Sequence, residues 1–403
     1  MTDASTGLNA GTATTTPGVS ARVRGMVFPP FDVLNQKAAA LRRAGRPVIT
    51  LGQAVPGFGP PAAAIEAANR ALADPATHRY VADAGLLTLR EALCEVFERE
   101  HKIRAHPDEL IVTAGGNQAF MVIAATLLDP GDEVIVASPY FVNHEMAIRA
   151  AGAIPVEAGL REDAGFSASW ADLAGHITSK TRAVVLCTPS NPTGAIIAMP
   201  ELAQIVRELS AREIFLICDE TYLHFVYGGA HASAAAVEGW RQNVVVIGTF
   251  SKSFGMTGWR SGYLLADQRI CSEAIKIQDA MIICAPVISQ IAAEAAVRSD
   301  WNYAHTFHDD LRARRATLER GVAAIPRLNS SASGGGLFSF VSVQDCRDSV
   351  ALADQILERV HVVTMPGATF GAAGEGFLRL SYGAASQEEL TEACERLRVF
   401  FAG

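Results

Sequence analysis

From Glu109 onward the chain alternates between short runs rich in Val and Ile and longer stretches whose apolar positions recur at helical spacing. The runs are ELIVTA (Glu109–Ala114), DEVIVA (Asp132–Ala137), RAVVLC (Arg182–Cys187), IFLICD (Ile214–Asp219) and NVVVIGTF (Asn243–Phe250). They lack polar alternation, which is the pattern of strands covered on both faces. Helices are expected over Asn117–Leu128 and Phe141–Ala151, and helical spacing also separates the third run from the fourth. Strands alternating with helices imply right-handed crossovers and a mainly parallel sheet. Upstream lie a helical pattern from Phe31 to Arg46 ending around Gly45, an extended VITLG (Val48–Gly52), turn chemistry in VPGFGPP (Val55–Pro61), and an Ala-rich helix reaching about Leu72. Past about Asp300 the character changes. An Arg-rich polar helix (Tyr303 to Ile325) leads to GGLFSFVSV, VHVVTMPG and FLRLSYG, which read as strands of a smaller α+β domain.

The chain has 403 residues, too many for one compact core, so two domains are expected. Its net charge of −8 comes without a clustered basic run, which argues against nucleic acid or an anionic membrane as a partner. No stretch of about 18 uninterrupted apolar residues suggests a spanning helix. Residues 1–19 form a small, polar Thr/Ala/Gly tail, expected to be unordered and to be neither signal peptide nor anchor. Seven cysteines without a CxxC pair point to reduced thiols and a cytoplasmic protein.

In an open α/β sheet, ligands bind beyond the carboxyl ends of the strands. The residues just past each expected strand are therefore the candidates for chemistry. Gly115-Gly116-Asn117 at a helix start allows close backbone approach and offers free N–H groups to a phosphate, although a simple tight turn reads equally well. Thr188-Pro-Ser-Asn191-Pro192-Thr193-Gly194 fixes a loop and aims one amide. Asp219 ends an apolar strand, either facing a cation or capping the next helix. Lys252 is one of five lysines and comes just after a buried strand, flanked by Ser251 and Ser253. A desolvated ammonium there has a lowered pKa and can act as an imine-forming amine and a base. Arg260, eight residues on, suits a phosphate.

A lysine, an aspartate for a pyridinium nitrogen and a phosphate cradle are the parts that pyridoxal phosphate requires. The order GGNQAF, SPYF, PSNPTG, CDETY, FSKSFGMTGWRSGY and FLRLSYG resembles the class I/II aminotransferases of fold type I, from about Val48 to the C-terminus. Spacings of 28 residues from Asn191 to Asp219 and 33 from Asp219 to Lys252 agree with that family. The resemblance implies a large domain with a mainly parallel seven-stranded sheet between helices, and a smaller α+β domain built from both chain ends. Residues 20–60 would form an arm and part of the small domain, 61–299 the large domain and 300–403 the small C-terminal domain.

By the same resemblance, Lys252 is the cofactor lysine and proton-transfer base, and Asp219 keeps the pyridine nitrogen protonated. Asn191 and Tyr222 bond the phenolic oxygen. Gly115, Gly116, Asn117, Thr249, Ser251 and Arg260 hold the phosphate, and Phe141 stacks on the ring. Tyr80 reaches a neighbouring subunit's phosphate, which implies a homodimer with shared sites. Arg379 and Asn191 bind the substrate carboxylate, with Ala54 beside it. The implied reaction moves an amino group from an L-amino acid to a 2-oxo acid by a ping-pong mechanism, with a fold type I lyase as the alternative. A regulatory sensor would need an added DNA-binding module, for which the residues ahead of Arg22 leave no room.

Two positions depart from the family pattern. Ala54, in Gly52-Gln53-Ala54-Val55-Pro56-Gly57-Phe58, replaces a glycine. Asn117 stands where some aspartate-selective relatives carry a lysine. With an apolar wall expected from Val27, Phe28 and Phe31, this favours a neutral donor, aromatic or methionine-like, over aspartate or glutamate. No HExxH, HxH or zinc-spaced cluster suggests a metal. His144, which follows Phe141, is expected on a helix surface, with a place in the pocket wall as the alternative, and Cys187 and Cys218 are expected in the core.

Overall fold

The computed structural model describes residues 18–26, 29–229, 231–330 and 334–403. Thirteen strands run in chain order: β1 Ile49–Thr50, β2 Leu110–Thr113, β3 Glu133–Ser138, β4 Ile154–Gly159, β5 Thr181–Cys187, β6 Phe215–Asp219, β7 Val244–Thr249, β8 Gly262–Leu265, β9 Leu328–Ser330, β10 Phe338–Val343, β11 Val362–Val363, β12 Met365–Pro366 and β13 Phe377–Ser381. Seven of them form one sheet in the order β2-β8-β7-β6-β5-β3-β4, parallel except for β8. Because β8 is antiparallel to both β2 and β7, those two point the same way. The carboxyl ends of β2, β3, β5, β6 and β7 therefore lie along one edge.

Their continuous apolar runs divide by alternation. Val112, Ile135, Val184, Leu216 and Val244 enter one core, while Ile111, Val134, Val185, Ile217 and Val245 enter another on the opposite face. Period-two side chains on a sheet covered by helices produce this split. The Met199–Ser210 helix shows how the covers form: Leu202, Ile205, Val206 and Leu209 recur at helical spacing and are buried. Full burial of one such side chain stabilises by about 1.5–3 kcal/mol.

Two strands of the large sheet escaped the pattern. β4 is an edge strand with exposed Ile154, a proline and Glu157, so it carries no apolar run. β8 begins only two residues after Arg260, inside SGYLL, where loop chemistry hides it. The run Asn243–Phe250 ends at Thr249, whose side chain accepts from Ser251 N and caps a short helical turn, Phe250–Ser253. The single helix expected over Tyr303–Ile325 is a 3-10 turn, Tyr303–Phe307, followed by an α-helix, His308–Ala323.

A second sheet, β12-β13-β10-β9, is antiparallel. β1 pairs in parallel with β11, Ile49 opposite Val362, so the N-terminal segment joins the C-terminal part of the chain. Ser381 N donates to Leu51 O at 2.7 Å, which sets Gln53–Val55 beside β13. Residues 1–17 and Val27 and Phe28, with the expectations made for them, lie outside the described residues. Among the described residues no helix is long and apolar enough to cross a membrane.

Candidate active site

The strand ends of the large sheet and β13 of the small one enclose a cavity of about 500 Å³. Gly116, Asn117, Phe141, Asn191, Asp219, Tyr222, Thr249, Ser251, Lys252, Arg260, Ala54 and Arg379 line it. Gly115 stands just behind: its φ is +88°, and a Cβ there would meet Arg260 Nη2 at 2.5 Å, so a side chain would displace the guanidinium. Tyr80 is the exception. It is 76% exposed and does not line the cavity.

One end of the cavity is built for an anion. The Gly116–Leu127 helix presents its N-terminus, where unpaired N–H groups and the helix dipole favour negative charge. Arg260 lies across it, held by Thr257 O at 3.0 Å and Ala114 O at 3.2 Å. Thr249 Oγ1 and Ser251 Oγ are 2.9 Å apart, adding two hydroxyls.

On the floor, Asp219 uses both oxygens. Oδ1 accepts from Thr221 N at 2.9 Å, so the capping alternative holds for that oxygen, in a turn rather than a helix. Oδ2 lies 3.0 Å from His144 Nε2. Burial acts to raise this carboxyl, but the hydrogen bond and charge of His144 and the bonds from Thr221 outweigh it and hold it below the usual carboxylate range. An ionised carboxylate accepts only, so His144 Nε2 donates, and each oxygen keeps a lone pair for a further donor.

His144 is thus not on a helix surface. It is 4% exposed, stacked on Phe120 with ring centroids 4.4 Å apart and edge-on to Phe141 at 5.5 Å. One signal in the chain was usable, its place three residues after Phe141 in the first turn of a helix (Val142–Ala150) that starts at a strand end. Composition around it, VNHEM, has the character of a solvated face and points the other way.

Lys252 Nζ faces the cavity without an ion-pair or hydrogen-bond partner among the described residues. Burial lowers it to about 8, and the cations Arg379 and Arg260 act in the same direction against Asp219. About a tenth is then neutral at pH 7, against well under a thousandth for an ordinary lysine.

At the other end sits Arg379, 2% exposed on β13. Nη1 donates to Asn191 Oδ1 at 2.8 Å and Nη2 to Gly52 O at 2.6 Å, while Nε has no partner. Phe370, Phe338 and Phe31 place ring centroids 4.9, 5.4 and 5.9 Å from the guanidinium. Burial lowers its pKa to about 10, so it remains a cation at neutral pH. A buried cation that no carboxylate among the described residues neutralises is costly. It calls for an anionic ligand.

Two anion-favouring ends, a desolvated lysine between them and a supported carboxylate form one chemical unit. The chain matches the family model for aminotransferase class I and II over residues 46–397. It belongs to that family. A probable aspartate/prephenate aminotransferase of Aquifex aeolicus is 33% identical over 94% of this chain and 98% of its own length. Aromatic-amino-acid aminotransferase 2 of Thermococcus litoralis is 33% identical over 87% and 90% of the two chains. The solved aspartate aminotransferase of Thermus thermophilus with maleate superposes at a TM-score of 0.90, with 34% identity over 95% of this chain and all of that one.

The aminotransferase is accordingly a pyridoxal-phosphate-dependent transaminase acting on amino acids and 2-oxo acids. Its own residues fit that cofactor. Gly115 leaves room for Arg260 at the phosphate end, Asp219 retains lone pairs for a ring N–H, and the partnerless Lys252 and Arg379 Nε await what the cavity receives.

Proposed function

We propose that this aminotransferase takes its amino group from a neutral L-amino acid, aromatic or methionine-like, and passes it to a 2-oxo acid by a ping-pong cycle, as a cytoplasmic homodimer. The observation that carries the donor class is a count of cations. Among the described residues, three Lys or Arg side chains line the cavity: Lys252, Arg260 and Arg379. Each has a duty, respectively the base, the phosphate and the α-carboxylate. None is left for a second carboxylate, whose desolvation without a partner would be costly. His144, the remaining basic group, is committed to Asp219.

Pyridoxal phosphate, when bound, supplies an electron sink that lets the amino acid's Cα–H ionise. Arg260, Thr249, Ser251 and the Gly116–Leu127 helix start bind its phosphate. Asp219 accepts from its ring nitrogen, and His144 acts as a positioning residue that keeps Asp219 ionised and aimed. Asn191 and Tyr222 hold the phenolic oxygen, and Phe141 packs on the ring face. Arg379 grips the substrate carboxylate through a planar fork, steadied by Asn191 and Gly52 O, and Ala54 closes the pocket behind it. That grip orients the Cα–H toward Lys252 Nζ, which would take the proton and deliver it two bonds on, as a 1,3-proton shift requires. The exposed Tyr80 supports the dimer as a residue offered to a neighbouring site. Seven unpaired cysteines support a reducing compartment.

A second reading is favoured by the names of the Aquifex and Thermus relatives, which include aspartate. It requires a cation from the partner subunit. Half-reactions of the holoenzyme with all twenty amino acids, followed by loss of its visible absorption band, separate the two. An aspartate or glutamate rate more than about tenfold above every neutral donor, 1.4 kcal/mol at the transition state, would sink the neutral-donor reading.

A further inference from the structure

Five of the chain's ten histidines, His101, His224, His231, His305 and His308, gather around Trp301, and none of them lines the cavity. One of them nevertheless touches the turn that carries Lys252. His224 Nδ1 lies 2.7 Å from Ser253 Oγ, and both residues are buried. That bond is the imidazole's one polar tie among the described residues, since Nε2 has no partner. Burial, with the other four histidines around it, holds the ring well below its ordinary pKa, so it is neutral. Its place is fixed from two further sides. Trp301 packs edge-on against the ring at 4.8 Å, and His308 Nε2 donates to the His224 backbone carbonyl at 2.6 Å.

The bond spans two strand ends. His224 follows β6 on the same loop as Asp219 and Tyr222, and Ser253 closes the four-residue turn, Phe250–Ser253, that carries Lys252 beyond β7. Four residues are too few to hold a helical turn by themselves, so its place depends on ties from outside. At its start, Thr249 Oγ1 accepts from Ser251 N at 3.1 Å. At its end, Ser253 Oγ meets His224. Resting on the role given above to Lys252, we propose that His224 is a positioning residue of this transaminase: through Ser253 it straps the lysine-bearing turn to the loop that carries Asp219 and Tyr222. The strap touches the base and not the substrate, so it serves every donor alike. Displacing a reacting atom by about 1 Å can cost about 100-fold in rate. A loosened turn also admits water to Lys252, whose lowered pKa depends first on burial. A ring that only fills space beside Trp301 would need no bond to Ser253, and substitution separates the two roles.

The test uses the holoenzyme, with rates taken per bound cofactor so that loss of folded protein cancels. Ser253→Ala removes one oxygen and keeps the packing, so it decides the matter even where His224→Leu fails to fold. Each variant is expected to lower kcat about tenfold for phenylalanine and alanine alike, with KM changed by less than about twofold. The double variant is expected to be no worse than the worse single one, because all three lack the same bond. His224→Asn, whose amide reaches the place of Nδ1, is expected to recover most of the loss. In the full-length cofactor-free protein, the pH midpoint for acetylation of Lys252, read by mass spectrometry, is expected to rise from about 8 in the wild type by about one unit in Ser253→Ala. An unchanged kcat, losses that multiply in the double variant, or an unmoved midpoint overturns the strap. Borohydride labelling of the wild-type holoenzyme at a residue other than Lys252 removes the reading of the site and this inference with it. Labelling at Lys252 with an indifferent Ser253→Ala removes the strap alone.

Discussion

The floor of the cavity and its rim are held in different ways. On the floor, Asp219, Asn191, Thr249 and Arg379 are buried and tied to one another or to backbone by hydrogen bonds of 2.6–3.2 Å. At the rim, Phe31 is partly exposed and Asn117 exposed. On the proposed roles, chemistry common to all amino acids would rest on the sheets and the loops at their strand ends, and selection among amino acids would fall to rim side chains that can change without disturbing the sheet. Substitutions should divide along the same line, with floor changes costing every donor and rim changes re-ranking donors.

Lys252→Met is the sharpest floor change. Activity with all donors should fall by at least about 10³-fold, since both the covalent attachment and the base are lost. Borohydride treatment of the wild-type holoenzyme should label the Lys252 peptide alone. The cofactor-free protein should respond with the opposite sign. Burial, with Arg379 and Arg260 nearby, lowers Lys252 from 10.5 to about 8. Between these values the unfolded chain binds the extra proton, so stability rises with pH through that window, and below about pH 8 the full cost persists. Lys252→Met should therefore stabilise the cofactor-free protein at pH 7 by on the order of 3 kcal/mol, with the gain vanishing by about pH 10.5. Denaturant titration across that range checks it. A variant no more stable than wild type at pH 7 would mean that the lysine is solvated.

Arg379→Lys tests the fork at the other end of the floor. A lysine keeps the charge but cannot match a carboxylate with two parallel bonds or keep both Asn191 and Gly52 O satisfied. kcat/KM should drop by about 100-fold for aspartate, alanine and phenylalanine alike. A loss confined to one donor class would move Arg379 from the floor to the selecting rim.

This division also explains what could be read from the chain. Asp219, Thr249, Lys252 and the Asn191 turn lie at or just past the ends of apolar runs, where a polar group stands out because burial makes it expensive. Arg379 sits mid-strand and was legible only through the family resemblance. β4 and β8 were not legible, one because an edge strand needs no apolar run and the other because a motif overlies it. His144 was hidden for a different reason. Its partner Asp219 is 75 residues away and its stacking ring, Phe120, lies on another helix, so no local pattern carries the contact.

His144→Ala asks whether a residue that touches Asp219 belongs fully to the floor. Without its donor, the carboxyl loses its largest support and its pKa rises. kcat should fall by about tenfold with a smaller change in KM, and activity should be lost at higher pH than in the wild type as the medium is acidified. His144→Gln, which retains an N–H donor, should recover part of the loss. Unchanged pH profiles in both variants would make His144 a packing residue.

The smallest expected effect is the one that best probes the boundary. Asn117 is exposed at the start of the Gly116–Leu127 helix and lines the cavity. Asn117→Lys adds a fourth cation near the place where a substrate's second carboxylate would lie. At an exposed site the added attraction is about 1 kcal/mol, so the aspartate-to-phenylalanine ratio of kcat/KM should rise about fivefold and fall back as salt screens the charge. Rates with alanine should move far less, because the floor contacts stay as they are. The helix dipole opposes a cation at this terminus slightly, and Arg260 already lies nearby, so the gain stays below that of a buried, bidentate arginine. If the ratio does not respond, or if alanine falls in parallel, Asn117 is acting on the phosphate end of the floor, and the line between fixed chemistry and adjustable selection lies farther out than Asn117.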